Sequence, residues 1–176
     1  YSNDGEVEWG GLFLQGEYKN DALSGFLSVA ASQKRYRRID FFQYTPDNQK
    51  SDWVNFTPWN VKAGLNYNVT ERHNFYANAG YIKLEPIFGN VVLNYTNEIN
   101  KKVKYETVMT AEAGYGFHSK RLTAKIDYYW TNWLDKALVK NLQGTYANIP
   151  GINALHQGLE AEVTYKPINK VTFRGM

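Results

Sequence analysis

Residues 59–82 read WNVKAGLNYNVTERHNFYANAGYI, and this stretch decides the fold class. Its first half alternates apolar residues with Asn, Lys and Gly from Trp59 to Val69. After the polar break at 71–73, the alternation resumes from Phe75 to Tyr81. A period of two is typical of β-strands, which place successive side chains on opposite faces. The stretch therefore predicts a β-hairpin with one apolar face and one face rich in amides and glycine.

The same alternation recurs along nearly the whole chain, and helical spacing is not convincing anywhere. Eight strands are predicted, at 7–18, 22–44, 58–69, 74–84, 105–117, 121–136, 155–166 and 170–176. Tight polar turns at 19–21, 71–73, 118–120 and 167–169 alternate with long segments near 45–57, 85–104 and 137–154. All tight turns are therefore expected at one end of an antiparallel sheet, and all long loops at the other.

Composition narrows the class of protein. The chain has 176 residues, 43% of them hydrophobic and 16% aromatic, with 14 Tyr and 5 Trp. It contains no apolar run near the ~18 residues of a transmembrane helix. The absence of cysteine excludes disulfides and thiolate metal sites. A net charge of +3 is too small to indicate nucleic acid as a partner.

Two kinds of β protein fit the alternation. A soluble ligand-binding barrel or sandwich hides its apolar face, whereas a membrane barrel turns that face to lipid. Three features favour the membrane barrel. The polar face is rich in Asn and Gly rather than in long charged chains, the apolar face is aromatic at its ends, and short turns oppose long loops. A complete eight-stranded structural or adhesive outer-membrane barrel is a further alternative, although its last strand would be short for a span.

The aromatic ends of the apolar face predict lipid contacts. Trp59 and Tyr67 bracket three smaller residues, and eight residues of tilted strand rise about 20 Å, close to the apolar band of an outer-membrane barrel. The residues predicted to contact lipid or lipopolysaccharide with these aromatic side chains are Trp59, Tyr67, Phe75, Tyr81, Phe117, Trp130 and Tyr165.

Two short patterns carry a resemblance to a known family. The run Tyr81-Ile82-Lys83-Leu84-Glu85-Pro86 resembles a strand-end motif of an aromatic residue followed by Arg-Ala-Pro, of which the aromatic residue and the proline match. The run HQGLEAEVTYKPINKVTFRGM resembles a Gly-hydrophobic-Glu-hydrophobic-Glu strand, a Pro turn and a further strand. Together with QKRYRRIDFFQY and AEAGYGF, these runs are similar to TonB-dependent outer-membrane receptors of the Bacteroidota type.

The resemblance implies a transmembrane antiparallel β-barrel of 22 strands, of which this chain holds about eight on the C-terminal side. Residues 1–176 are then part of a single barrel domain, and the plug domain lies outside the chain. We expect the chain to be a piece of a larger protein, because both ends interrupt the pattern. The implied function is uptake of a siderophore, vitamin, glycan or peptide across the bacterial outer membrane. The implied partners are TonB, through an absent N-terminal region, and a surface lipoprotein.

The basic run at 34–38 gives the most specific site hypothesis. If the register of the preceding strand continues, Arg35 and Arg37 point outward above the lipid band, where they could bind lipopolysaccharide phosphates. Tyr36, Arg38 and Asp40 then face the interior, where Arg38 and Asp40 could simply pair. Together with these three, the ligand contacts predicted from the loops are Asp52, Trp53, Phe56, Tyr95 and Tyr146. Packing of the loops against one another is an equally good explanation of those aromatic residues.

No cofactor, metal or enzymatic site is predicted. His73, His118 and His156 lack the spacing of metal ligands. Glu160 and Glu162 lie two residues apart on one strand face, and charges lining a wet interior explain them better than a catalytic pair. No serine lies in a suggestive motif with a histidine.

Overall fold

The structure is a computed structural model that describes residues 2–92, 96–142 and 145–176. For residues 139–142, 145–148 and 150 it describes the backbone alone. Nine strands lie in this described part of the chain. They are β1 (Asn3–Lys19), β2 (Leu23–Asp40), β3 (Val54–Phe56), β4 (Trp59–Thr70), β5 (His73–Leu84), β6 (Glu106–His118), β7 (Leu122–Leu142), β8 (Thr145–Ile168) and β9 (Val171–Gly175). A 3₁₀ turn at Pro46–Asn48 and a short helix, α1 (Phe88–Val91), lie in the connections.

The strands form one antiparallel sheet in the order β1-β2-β4-β5-β6-β7-β8-β9, and β3 pairs with the upper part of β2. Each strand therefore pairs with its neighbour along the chain, as in an up-and-down barrel. The sheet is an unclosed segment of such a barrel. Among the described residues, no helix is long and apolar enough to cross a membrane.

The register confirms the two faces that the alternation predicts. Across β4, β5 and β6, Ala63 pairs with Ala79 and Ala79 with Ala111, so one apolar row crosses three strands. The next residues along each strand, Gly64 with Asn78 and Asn78 with Glu112, form a polar row on the other side. We refer to these sides as the outer face and the inner face of the sheet.

The four tight turns are confirmed at one end of the sheet. They connect Lys19 to Leu23, Thr70 to His73, His118 to Leu122 and Ile168 to Val171. In the first of them, Oδ1 of Asn20 accepts hydrogen bonds from the amides of Ala22 at 3.0 Å and Leu23 at 2.7 Å. An Asn side chain that replaces a backbone acceptor in this way is a common cause of a tight turn.

The predicted third long loop is wrong. Residues 137–142 continue β7 and 145–154 begin β8, so most of this segment is an extended hairpin. The ladder shifts register between Trp133 and Lys136 and again between Lys136 and Leu138. These bulges contain Asp135 at φ 54° and Gly151 at φ 80°. They resemble a loop in the sequence because a bulge accommodates Gly and Pro without ending the ladder.

A buried carboxylate stabilises this bulge. Glu106 accepts one hydrogen bond from the indole N–H of Trp133 at 3.0 Å and another from the amide of Ala137 at 3.1 Å. The side chain of Asn153 accepts a third, from the amide of Asp135, at 3.1 Å. Backbone donors that leave the ladder at the bulge thus find side-chain acceptors, as buried N–H groups generally must.

The buried residues lie at the loop end of the sheet, not in its middle. Tyr36, Phe56 and Val91 are 4%, 6% and 1% exposed and form one apolar cluster. By contrast, many large apolar side chains of the outer face are exposed, among them Leu65 at 60% and Leu159 at 69%. A sheet with this distribution of apolar surface needs an apolar medium against its outer face.

Candidate functional site

The inner face is flattened by glycines that side chains of neighbouring strands cover. A Cβ atom added to Gly114 would lie 2.3 Å from both the hydroxyl of Tyr76 and Oδ1 of Asp127. One added to Gly158 would lie 2.7 Å from the hydroxyl of Tyr129. The side chains of Tyr76, Asp127 and Tyr129 therefore lie across the adjacent strand instead of projecting into the interior.

Carboxylates dominate one part of the inner face. Asp127 is paired in the ladder with Glu160, and Lys125 with Glu162, so the register places all four on the same side. Lys125 Nζ contacts Oδ2 of Asp127 at 3.0 Å and lies 4.9 Å from the centre of the Tyr76 ring. The prediction that Glu160 and Glu162 share a polar face is confirmed, and Glu112 on β6 adds to the same region.

A buried ion pair stabilises the base of the loops at the other end. The guanidinium of Arg38 donates to Oδ2 of Asp40 at 2.8 Å, and their side chains are only 3% and 0% exposed. Oδ1 of Asp40 also accepts from the amides of Phe42 and Gln43, each at 2.8 Å. The bond from Gln43 is the main cause that lowers the pKa of Asp40 below its ordinary 3.8, with those from Phe42 and Arg38 contributing. The predicted pairing of Arg38 with Asp40 is confirmed.

An apolar cluster lies beside this ion pair on the inner face. The ring of Tyr36 contacts that of Phe56 from β3 and that of Phe88 from α1, both at a centroid distance of 5.7 Å. Val91 from the same short helix completes the cluster. The described parts of the two long connections, 41–58 and 85–92 with 96–105, thus fold inward over the loop end of β2.

Arg35 and Arg37 lie on the opposite, outer side of β2. Arg35 forms an ion pair with Glu8 of β1 at 2.5 Å, and Arg37 forms one with Glu6. The ring of Trp53 lies 4.5 Å from each guanidinium. The predicted outward orientation is confirmed, and each arginine also has a carboxylate partner, which the sequence did not indicate.

Aromatic side chains of the outer face meet in pairs near both ends of the strands. Trp59 stacks on Tyr81 at a centroid distance of 5.1 Å, near the loop end. Near the turn end, Phe75 contacts Tyr115 at 5.1 Å, and Phe117 contacts His73 at 5.0 Å. His73 Nδ1 lies 2.6 Å from the hydroxyl of Tyr115, so a hydrogen bond to this tyrosine accounts for the orientation of the histidine ring.

A comparison with models of protein families identifies the family of this chain. The family model for the β-barrel of TonB-dependent receptor-like proteins matches residues 1–175. The chain belongs to this family. A search of curated proteins found no match.

Solved structures with a similar fold agree with that assignment. The copper transporter OprC has a TM-score of 0.71 and 17% identity over 94% of this chain, which covers 26% of that protein. The FrpB iron transporter of Neisseria meningitidis has a TM-score of 0.65 and 16% identity over 94% of this chain and 24% of its own. The ferric-catecholate import receptor Fiu of E. coli K12 has a TM-score of 0.58 and 18% identity over 95% of this chain and 26% of its own. The chain spans about a quarter of these proteins.

The residues predicted to contact a ligand lie in different environments, and Trp53 is on the outer side beside Arg35 and Arg37. Tyr36, Arg38, Asp40 and Phe56 are buried at the base of the loops, whereas Asp52 is exposed. Tyr95 lies outside the described residues, as does the side chain of Tyr146. Ligand contact stays a prediction for all eight residues in this set, and the four buried ones are accessible to a ligand only if the loops move.

The sequence did not indicate several aromatic residues of the inner face. Trp9 and Phe13 of β1 pair with Lys34 and Ala30, which places them on the inner side, 74% and 80% exposed. Apolar residues occupy both faces around Leu12 and Leu14, so the alternation is ambiguous there. Only the register of the neighbouring strand distinguishes the inner residues from the outer ones.

The described residues contain no group of three or more His, Cys, Asp or Glu side chains arranged to hold a metal ion. His118 lies 3.0 Å from the hydroxyl of Thr123, an ordinary contact beside a turn.

Proposed function

We propose that this chain is the C-terminal-side part of the barrel of a TonB-dependent transporter in the outer membrane of a Gram-negative bacterium. The observation that carries the proposal is the family match over residues 1–175. The fold supports it, because the apolar outer face, the polar inner face and the separation of turns from loops suit a barrel between lipid and water.

In this proposal the transporter takes up a scarce nutrient: a siderophore, a vitamin, a glycan or a peptide. Ligand binds at the extracellular loops, and energy delivered through TonB disturbs a plug domain encoded outside this chain. This chain contributes barrel wall, inner-face polar groups and loops, and no catalytic residue. A surface lipoprotein is a further partner in the proposal, and nucleic acid is not.

The first test is the intact mass of the parent polypeptide, purified in detergent from its native membrane. A mass several times the 20.3 kDa of this chain is expected for a receptor. A mass close to 20.3 kDa would contradict the transporter and leave the small structural or adhesive barrel. Recovery in the soluble fraction without detergent would instead indicate the soluble ligand-binding barrel.

The second test is energy-dependent uptake. Cells with and without the gene would be supplied with labelled ferric catecholate, cobalamin, oligosaccharide or peptide. Accumulation of at least one probe should require the gene, TonB and the proton-motive force, so a protonophore should abolish it. Uptake that persists in cells lacking TonB would contradict the proposal, because it would indicate passive diffusion through an open barrel.

A further inference from the structure

The two long connections meet although they arise from different strand pairs. Residues 41–52 follow β2, and residues 96–104 precede β6, with α1 at the start of the second connection. We call these segments, together with α1, the loop pair. Their contact joins residues about fifty positions apart, for example Asn97 and Asn48.

Asn97 makes most of the polar contacts between the two segments. Its side-chain oxygen accepts from Arg38 at 3.2 Å, and its side-chain nitrogen donates to the carbonyls of Asn48 at 3.1 Å and Gln49 at 2.8 Å. Its backbone amide donates to the hydroxyl of Tyr44 at 3.0 Å. A side-chain amide has one acceptor oxygen and two donor hydrogens, and here every one of them is used.

Apolar packing joins the same two connections. Phe56 of the first contacts Tyr105 of the second at a centroid distance of 5.7 Å, and Val91 and Ile99 pack in the same cluster. Phe88 of α1 also lies close to β1, because a Cβ atom added to Gly5 would be 3.2 Å from its ring. The second connection therefore extends across the inner side of β2 as far as β1.

We propose that Asn97 is a latch that makes the loop pair one cooperative unit. Asn97 of the second segment donates to carbonyls of the first, and Tyr44 of the first accepts from the amide of Asn97, so these polar contacts are shared by the two segments. Segments that share their buried contacts exchange and unfold together. The latch thus transmits a movement of either segment to the other, whichever ligand the barrel takes.

The test is hydrogen exchange of the full-length protein in detergent, comparing wild type with Asn97→Ala. The substitution leaves the carbonyl of Asn48 without its donor and removes the bond to Arg38. Loss of these partly buried bonds is expected to accelerate exchange up to about tenfold. The acceleration should appear in both segments: at Asn48 and Ser51 in the first, and at Asn100 and Val103 in the second. These four amides make backbone hydrogen bonds within or at the base of their own segment.

Asn100→Ala tests the coupling from inside the second connection. Its side chain donates to the carbonyl of Asn90 at 3.0 Å and accepts from the amide of Lys102 at 3.0 Å, so both bonds stay inside that connection. While Asn97 is present, this variant should accelerate exchange at Asn48 and Ser51 as well as in the second segment, because a cooperative unit opens as a whole. In the Asn97→Ala background, the same substitution should act on the second segment alone. If Asn100→Ala leaves Asn48 and Ser51 protected while Asn97 is present, the latch is wrong.

A milder variant covers the case in which Asn97→Ala does not fold. Tyr44→Phe removes only the hydroxyl that accepts from the amide of Asn97. It should produce a smaller acceleration, again in both segments. Unchanged exchange at Asn100 and Val103 in this variant would also overturn the proposal, because neither amide bonds to the removed hydroxyl. Neither measurement requires a ligand, so failure of the latch is distinguishable from failure of the proposed transport.

Discussion

At the scale of single residues, the glycines of the inner face have a steric role. Gly114 lies beneath side chains from β5 and β7, and Gly116 beneath one from β5; a Cβ atom at either would be 2.3 Å from the nearest heavy atom. In each case that atom belongs to a polar side chain, Tyr76 or Asp127 above Gly114 and Asn74 above Gly116. These glycines allow large polar groups to lie flat against the sheet, which keeps the interior wide.

Replacing Gly114 by Ala should therefore destabilise the barrel. The added methyl group must displace Tyr76 and Asp127, and forced repacking of this kind costs about 1–3 kcal/mol. The free energy of unfolding would be measured by urea titration in detergent. Gly10→Ala is the control, because nothing lies within 4 Å of its added Cβ atom. Equal effects of the two substitutions would contradict the steric explanation.

Asp40 gives a pH-dependent prediction at the loop base, which lies beyond the apolar part of β2. Its pKa is lowered in the folded protein, so its stabilisation is complete above 3.8 and is lost as the pH falls below that value. Exchange of the amides of Phe42 and Gln43, corrected for intrinsic rates, should therefore rise on acidification through this range. In Asp40→Asn it should already be fast at neutral pH and should show no such step.

At the scale of strands, the alternation of apolar and polar residues assigns each side chain to one face of the sheet. Ala111 and Thr110 are neighbours on β6, yet the register places one on the outer face beside Ala79 and the other on the inner face beside Gly80. Thr110 contacts Thr131 across the inner side at 3.1 Å. Two adjacent positions of one strand therefore face different media in the proposed membrane barrel.

Arginine at these two positions should have unequal effects. Ala111→Arg puts a charge in the middle of the apolar band, where it costs about 2–4 kcal/mol, whereas Thr110→Arg puts it on the polar face. The fraction of heat-modifiable, folded barrel in the outer membrane should fall for Ala111→Arg and stay close to wild type for Thr110→Arg. The reverse order would mean that the outer face does not contact lipid.

The β7–β8 hairpin shows how strands can extend beyond the band. Its ladder continues past two bulges to Leu142 and Thr145, so the element projects far beyond the apolar row at Trp130. Glu106 and Asn153 supply the acceptors that the bulged backbone needs. The bulged backbone therefore keeps hydrogen-bond partners in a segment whose Gly and Pro content indicates an open loop.

At the scale of the whole molecule, the loop end combines an inward-folded part and an outward-facing part. The loop pair covers the inner side of β2, whereas Arg35, Arg37 and Trp53 lie on its outer side. We propose that Arg35, Arg37 and Trp53 contact lipopolysaccharide, whose phosphates compete with Glu6 and Glu8 for the two arginines. The arginine side chains remain 43% and 22% exposed in their ion pairs, so both are accessible to a second anion.

Charge reversal tests this contact. The double variant R35E/R37E should retain less lipopolysaccharide through purification than wild type, measured as lipid phosphate per protein. The matched control is K101E/K102E, which changes the net charge equally at exposed loop lysines. Equal losses in the two variants would indicate a general charge effect, and unchanged retention in R35E/R37E would remove the arginines from the contact.

The sequence by itself determined eight of the nine described strands, the two faces of the sheet and the separation of turns from most of the loops, but not β3. It could do so because alternation is local: each residue's face follows from its neighbour's. The same reasoning located Arg35 and Arg37 outside and paired Arg38 with Asp40 inside, both of which the structure confirms. Family membership also followed from short local motifs.

Only the tertiary structure decided which residues meet across the sheet and between loops. The extent of the β7–β8 hairpin depends on Glu106, far away in the sequence, and the burial of Tyr36 depends on Phe88 of the next loop. The inner position of Trp9 depends on its register with Lys34. Each of these is a contact between segments distant in the chain. Local periodicity specifies the face of a strand on which a side chain lies, and folding alone specifies the partner it finds there.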